Sequence, residues 1–176
     1  MKKIKLYIAA SIDGYIARTD GEMDWLSEFP ITDADNYGYK EFYQSVDTVI
    51  MGGRTYRDIL LMDFVWPYKD KKVFVVSRTD LMKRDDVEFI SGNIIQEVSR
   101  LRDEQGEDIW LVGGGELIAV LSEQGLIDEM IITYLPVTLG NGIRLFQDTK
   151  TEYKWKLESV ESYNNNVCQV RYTRLI

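Results

Sequence analysis

Residues 108–137 constrain the fold of this chain more than any other stretch. They read as the apolar run DIWLV, the consecutive glycines Gly113, Gly114 and Gly115, a helical segment to Gln124, a glycine at 125, and a second apolar run over 130–137. DIWLV is short and largely apolar, the pattern of a strand buried on both faces, whereas 115–124 carries helical periodicity and Gly125 supplies its stop. A strand, a helix and a strand in this order form a βαβ unit, with parallel strands and a right-handed crossover. Parallel strands need helices on both faces, so the segment commits the chain to a layered α/β architecture.

The remaining segments extend that frame. Strand patterns fall at 3–10, 48–51, 72–77, 87–90, 108–112, 130–137, 153–162 and 167–174, and helical patterns at 37–45, 55–61, 94–104 and 115–124. At the C-terminal end the character changes. Tyr153, Trp155 and Leu157 alternate with charged neighbours, and Cys168, Val170 and Tyr172 alternate with Gln169, Arg171 and Thr173. Asn164, Asn165 and Asn166 between them favour a turn. The expected architecture is one domain over 1–176, a mixed eight-stranded sheet, mostly parallel, with helices on both faces and an antiparallel C-terminal hairpin. The hairpin's aromatic face reads as core, and as an interface only where exposed.

Composition narrows the chemistry. The 176 residues include no histidine and a single cysteine, Cys168. An internal disulfide, Ser-His-Asp catalysis and most zinc sites are thereby excluded, and no metal site is expected. A net charge of −8 argues against a nucleic-acid surface, though a local basic pocket for one phosphorylated ligand remains compatible with it. No apolar run approaches membrane-spanning length, and MKKIKLYIAASIDG reads as a first strand and its turn, so a cytoplasmic protein is expected.

In open sheets of this type ligands sit outside the carboxyl ends of the strands. SIDG, MGGRTY, VSRTD and GGGEL all fall there. Glycine removes the Cβ atoms that hold a ligand away, and the first N–H groups of a helix lack intrahelical partners, so a strand running through GGG into a helix is a place for phosphate. Taken alone, the segment also fits a plain strand-to-helix turn.

The succession IAASIDGYIA, MDWL, VIMGGRTY, VFVVSR, IWLVGGGEL and DEMIITYLPV covers nearly the whole chain and resembles the dihydrofolate reductase superfamily. It is most similar to the branch of stand-alone proteins related to the reductase domain of riboflavin biosynthesis. The resemblance implies a dihydrofolate reductase-like, three-layer α/β/α fold and an NADPH-dependent reductase. By position it implies that Ala10 and Ile16 line the nicotinamide pocket, and that Gly52, Gly53, Arg54 and Thr55 hold pyrophosphate. Ser77 and Arg78 would meet the adenosine ribose and its 2′-phosphate. Val112, Gly113, Gly114, Gly115, Glu116 and Leu117 would approach the cofactor's centre, with a cis peptide joining Gly113 to Gly114. Many relatives read MGR where this chain has Gly53, with its arginine one residue later, so Arg54 and Arg78 together are the expected 2′-phosphate contacts.

For chemistry the resemblance points to 5-amino-6-(5-phosphoribosylamino)uracil reductase, acting on a small carbonyl or imine substrate. Dihydrofolate reductases hold their pterin through a carboxylate on the first long helix, a position that falls here at about Asn36, beside Asp35. Asp13 and Asp35 are the candidate catalytic carboxylates. Trp25, Tyr39, Tyr43, Thr133 and Tyr134 are the candidates for the substrate cleft. Core packing accounts equally for Trp25, Tyr39 and Tyr43, and Asp13 also suits a turn before Gly14. A true dihydrofolate reductase and a non-catalytic nucleotide-binding protein are the alternatives, and relatives of this branch suggest a homodimer.

Overall fold

The computed structural model describes residues 1–62, 65–79 and 81–175. Among them the chain forms, in order, β1 (Ile4–Ser11), β2 (Tyr15–Ala17), a 3-10 turn (Asp24–Glu28), α1 (Tyr39–Gln44), β3 (Val46–Gly52), α2 (Gly53–Leu61), β4 (Lys72–Val76) and β5 (Val87–Ile90). There follow α3 (Ile94–Asp103), β6 (Asp108–Gly113), α4 (Gly115–Glu123), β7 (Glu129–Leu135), β8 (Ile143–Arg144), β9 (Trp155–Ser162) and β10 (Cys168–Arg174). No helix among the described residues is long and apolar enough to cross a membrane.

The main sheet has eight strands in the order β5-β4-β3-β6-β1-β7-β10-β9. Every pairing from β5 to β7 is parallel, and β10 lies antiparallel to both β7 and β9. The expected mixed sheet with a C-terminal antiparallel hairpin is therefore present. The βαβ unit keeps its parallel strands, but β1 lies between β6 and β7 and pairs with both.

Period-two alternation divides the core between two faces. Ile4, Leu6, Ile50, Phe74, Ile109 and Leu111 pack with Val98 and Leu101 of α3 and with Leu117, Ile118 and Leu121 of α4. Val49, Met51, Val73, Val75 and Trp110 pack with Phe42 of α1 and Tyr56 of α2. A third cluster, formed by Trp25, Tyr37, Leu135 and Val167, closes the end of β7 and the hairpin.

Departures from the periodic reading have local causes. The helix expected over 37–45 begins at Tyr39, because Tyr37 (φ 52°) and Gly38 (φ 69°) lie in the left-handed region. Conversely α2 begins at Gly53, so Thr55 is inside the helix and Gly52 is its N-cap. A bulge opposite Arg171 and Tyr172 lets Leu157 and Val160 share a face of β9; they are 49% and 58% exposed. The turn over Asn164–Asn166 forms as expected, with Asn166 at φ 65°.

Candidate functional site

A cleft of about 1100 Å³ opens along the carboxyl ends of the parallel strands. Ala9 of β1, Gly52 of β3, Val76 and Ser77 at the end of β4, Ile90 of β5 and Val112 of β6 all contribute to its wall. Two devices shape this rim. The first is the small antiparallel pair β2–β8, which joins Tyr15 to Arg144 and Ala17 to Ile143. The second is the loop after β2, tied by the Arg18–Asp24 ion pair at 2.6 Å.

The floor is bare backbone. β3 and β6 are neighbours with Met51 opposite Gly113, which brings the Gly52–Thr55 turn against the Gly113–Gly115 turn. A Cβ built on Gly52 would stand 3.6 Å from Gly114 N, and one on Gly114 would stand 3.4 Å from Thr55 Oγ1. The Gly113–Gly114 peptide is cis, as the resemblance implies. Both α2 and α4 start here with glycine N-caps and no side-chain cap. Two sets of unsatisfied helical N–H groups thus open side by side on the cleft, each with the positive end of a helix dipole behind it. Gly115 answers to a different constraint: a Cβ there would lie 2.6 Å from Gln147 Nε2 and 3.2 Å from the Arg144 carbonyl.

Positive charge collects at the same place despite the acidic composition. Arg54, Arg57 and Arg78 line the cleft together with the acidic Asp58 and Glu116. Arg54 Nη2 donates to the Asp20 carbonyl, a neutral acceptor that leaves the guanidinium charge uncompensated by that contact. At the end of β4 the Ser77 hydroxyl donates to the Thr79 carbonyl at 2.8 Å and accepts from Thr79 N–H at 3.2 Å. Asp80, last of the VSRTD segment, lies outside the described residues.

Of the residues singled out from sequence, Ile16, Gly52, Gly53, Arg54, Thr55, Ser77, Arg78, Val112, Gly114, Gly115, Glu116 and Leu117 line this one cleft. Gly113 is buried beneath it, and Ala10 is buried in the core, with Ala9 and Ile8 forming the wall instead. The fit to a dinucleotide is physical: bare glycine backbone and paired helix starts for phosphates, an apolar wall of Ile8, Ala9, Ile16 and Leu26 for a ring, and arginines along one side.

The substrate and catalytic candidates are not gathered in this way. Asp13 is exposed, and its carboxylate accepts from Ser11 Oγ at 2.6 Å, Gly140 N at 2.7 Å and Leu139 N at 3.1 Å. These bonds, that from Ser11 foremost, hold its pKa below the ordinary value, and they pin the loop after β7 to the end of β1. Asp35 does not line the cleft. Tyr39 and Tyr43 pack edge-to-face around Trp110 with centroids 5.9 and 6.5 Å away, and burial raises the pKa of both. Tyr134 is half-buried against the α3–α4 core, and Trp25 is buried in the third cluster.

Thr133 belongs to a polar knot that the periodic reading overlooks. Gln169 Nε2 donates to Thr133 Oγ1 and to the Tyr37 carbonyl, each at 2.8 Å, and Tyr7 Oη donates to that carbonyl at 2.9 Å. Alternation assigns Gln169 to the polar side of the hairpin, yet it is only 6% exposed. The segment around Tyr37 covers it, a contact spanning 132 residues that no local pattern reveals. Arg57 also escaped the motif reading. Its spacing of three from Arg54 on a helix carries the signal.

Residues 62–169 match the RibD C-terminal domain family. The chain belongs to this family. Two Bacillus subtilis (strain 168) relatives match almost end to end: the uncharacterized protein YwjB, 42% identical over 98% of both chains, and YyaP, 32% identical over 97% of this chain and 94% of its own. Among solved structures, a Shewanella sp. PV-4 protein assigned to riboflavin biosynthesis superposes with a TM-score of 0.88, at 31% identity and 99% coverage of each chain. The dihydrofolate reductase of Enterococcus faecalis shares the fold at 13% identity, with a TM-score of 0.69 over 98% of this chain and 96% of its own. The chain is thus dihydrofolate reductase-like in fold, as the sequence succession implies.

Proposed function

We propose that this chain is an NADPH-dependent reductase acting on a small carbonyl or imine substrate. Its closest functional type is the reduction of 5-amino-6-(5-phosphoribosylamino)uracil. The observation that carries the reading is the pair of glycine turns, Gly52–Thr55 and Gly113–Gly115, meeting on the floor of one cleft with two uncapped helix starts and three arginines. Support comes also from a Thermotoga maritima protein that names both a deaminase and this uracil reductase; the chain matches 57% of its length at 17% identity, with a TM-score of 0.72.

When bound, NADPH supplies a hydride, and the work left to the protein is orientation and exclusion of water. The N–H groups opening α2 and α4, with Thr55, would bind the pyrophosphate. Arg54 and Arg78 would favour a 2′-phosphate through charge and directed hydrogen bonds. Ile8, Ala9, Ile16 and Leu26 would keep water from the face where hydride leaves.

Steady-state oxidation of NADPH tests the reading. Turnover with the ring-opened 5-amino-6-(5-phosphoribosylamino)uracil and none with dihydrofolate is the expected result. Turnover with dihydrofolate would make the protein a dihydrofolate reductase, and saturable NADPH binding without turnover of any pyrimidine or aldehyde would make it a nucleotide-binding protein.

A further inference from the structure

β9 closes one edge of the sheet, and among the described residues it pairs with β10 alone. An edge strand presents a row of unpaired N–H and C=O groups, a template for another strand, and proteins blunt such edges by keeping them short or polar. The opposite edge conforms: β5 has four residues, Val87–Ile90, and none of its large apolar side chains is exposed. β9 does not conform. It has eight residues, and its Leu157 and Val160 are the exposed large apolar residues of the strands among those described.

The side chains of β9 select what fits this edge. Register against β10 puts Trp155, Leu157, Val160 and Ser162 on one face, in line with Arg174, Tyr172, Val170 and Cys168. Lys156, Ser159 and Glu161 lie on the other face, in line with Thr173, Arg171 and Gln169, and Glu158 is the extra residue of the bulge. The order of faces therefore reads alike in both directions about the Glu158–Ser159 peptide bond.

A second copy running antiparallel about a two-fold axis at that bond would set Leu157 against Val160, Lys156 against Glu161 and Trp155 against Ser162, each twice. Every pair joins side chains of one face, as directly opposite residues in antiparallel strands must. The bulge residue of each copy meets Ser159 of the other, so neither strand falls out of count. A slip of one residue would set Leu157 against Glu161 or Ser159, which lie on the opposite face, so the register is specified. Lys156 also meets Glu158 of its own strand at 3.0 Å, and the three donors of an ammonium can serve both carboxylates.

We infer that this protein self-associates through β9 as an isologous dimer, its two eight-stranded sheets joined edge to edge. Apolar set against apolar and lysine set against glutamate select a second copy of this chain over an unrelated strand. The inference is independent of the cofactor reading, because β9 contributes no residue to the cleft.

Sedimentation of the full chain over a range of concentrations tests it. Physiological ionic strength is used, because a net charge of −8 sets copies against one another when salt is low. The unsubstituted protein should be a dimer. Lys156→Glu and Glu161→Lys should each weaken dimerisation about tenfold or more, since each opposes like charges at two symmetric positions. Mixed in equal amounts, the two variants should recover the affinity of the unsubstituted protein, because the mixed pair again sets lysine against glutamate at both contacts. Leu157→Asp should give a monomer with its fold intact by circular dichroism, as this side chain is 49% exposed. An unsubstituted protein that stays monomeric at every concentration overturns the inference and leaves the edge to a different partner. So does a dimer that withstands all three substitutions, or a mixture no tighter than its components.

Discussion

Arg54 Nη2 donates to the backbone carbonyl of Asp20, joining the first turn of α2 to the loop after β2 across the mouth of the cleft. Gly21 follows at φ 92°, and a side chain there would run into the same guanidinium. One residue therefore holds the loop and presents charge to the cleft. Replacing it by alanine should weaken NADPH binding about tenfold, roughly 1.4 kcal/mol, through loss of a charge-assisted bond and of a phosphate partner. Arg54→Lys should recover part of this, because it restores charge but not the planar fork. Titrations of both variants followed by tryptophan quenching measure the effect; unchanged affinity in Arg54→Ala would remove Arg54 from the site.

The floor glycines should separate into two kinds. Gly115→Ala drives a methyl toward Gln147 and the Arg144 carbonyl and should destabilise the fold by about 1–3 kcal/mol, the usual cost of overpacking. At Gly52 the nearest atom to a Cβ is 3.6 Å away, so Gly52→Ala should cost under about 1 kcal/mol of stability while obstructing the approach of phosphate. Thermal unfolding and NADPH titration on the two variants should give opposite patterns.

Asp13 should matter to stability rather than to chemistry. Its folded pKa is lowered from the usual 3.8, chiefly by the Ser11 hydroxyl, with the amides of Gly140 and Leu139 assisting. A lowered folded value means that the contribution is present above the unfolded pKa and is lost as pH falls through the folded one. Asp13→Ala should therefore melt below the unsubstituted protein at neutral pH, with the difference shrinking once pH drops under about 4. The pH profile of kcat should be the same for both; a missing limb in the variant's profile would make Asp13 catalytic after all.

Tyr43 offers a parallel test on the α1–α2 face. Its hydroxyl donates to the Pro67 carbonyl at 2.9 Å and to Asp70, while its ring packs in the aromatic cluster around Trp110. Tyr43→Phe should cost about 1 kcal/mol of stability, one hydrogen bond's worth, and leave KM unaltered. An increase in KM would return Tyr43 to the substrate cleft.

The long strands and all four helices were legible because each carries its own period, and the glycine turns because backbone bareness is written directly in residue type. What escaped depends on distance along the chain. β2 and β8 have three and two residues and cannot display an alternation. The place of β1 between β6 and β7 is set by pairing between remote segments. Gln169 sits on what alternation reads as a solvated face, and only the left-handed turn at Tyr37 and Gly38 folds a cover over it. The glycine-floored cleft, built from short local motifs, was thus readable; the polar knot of Tyr7, Thr133 and Gln169, assembled from β1, β7, β10 and the segment before α1, was not.

The most direct measurement is a titration of the purified protein with NADPH and NADH, followed by quenching of its four tryptophans. A saturable response to NADPH, tighter than that to NADH and weakened in Arg54→Ala, is the expected result. No saturable response to either nucleotide would contradict the assignment of the glycine-floored cleft to a nicotinamide cofactor.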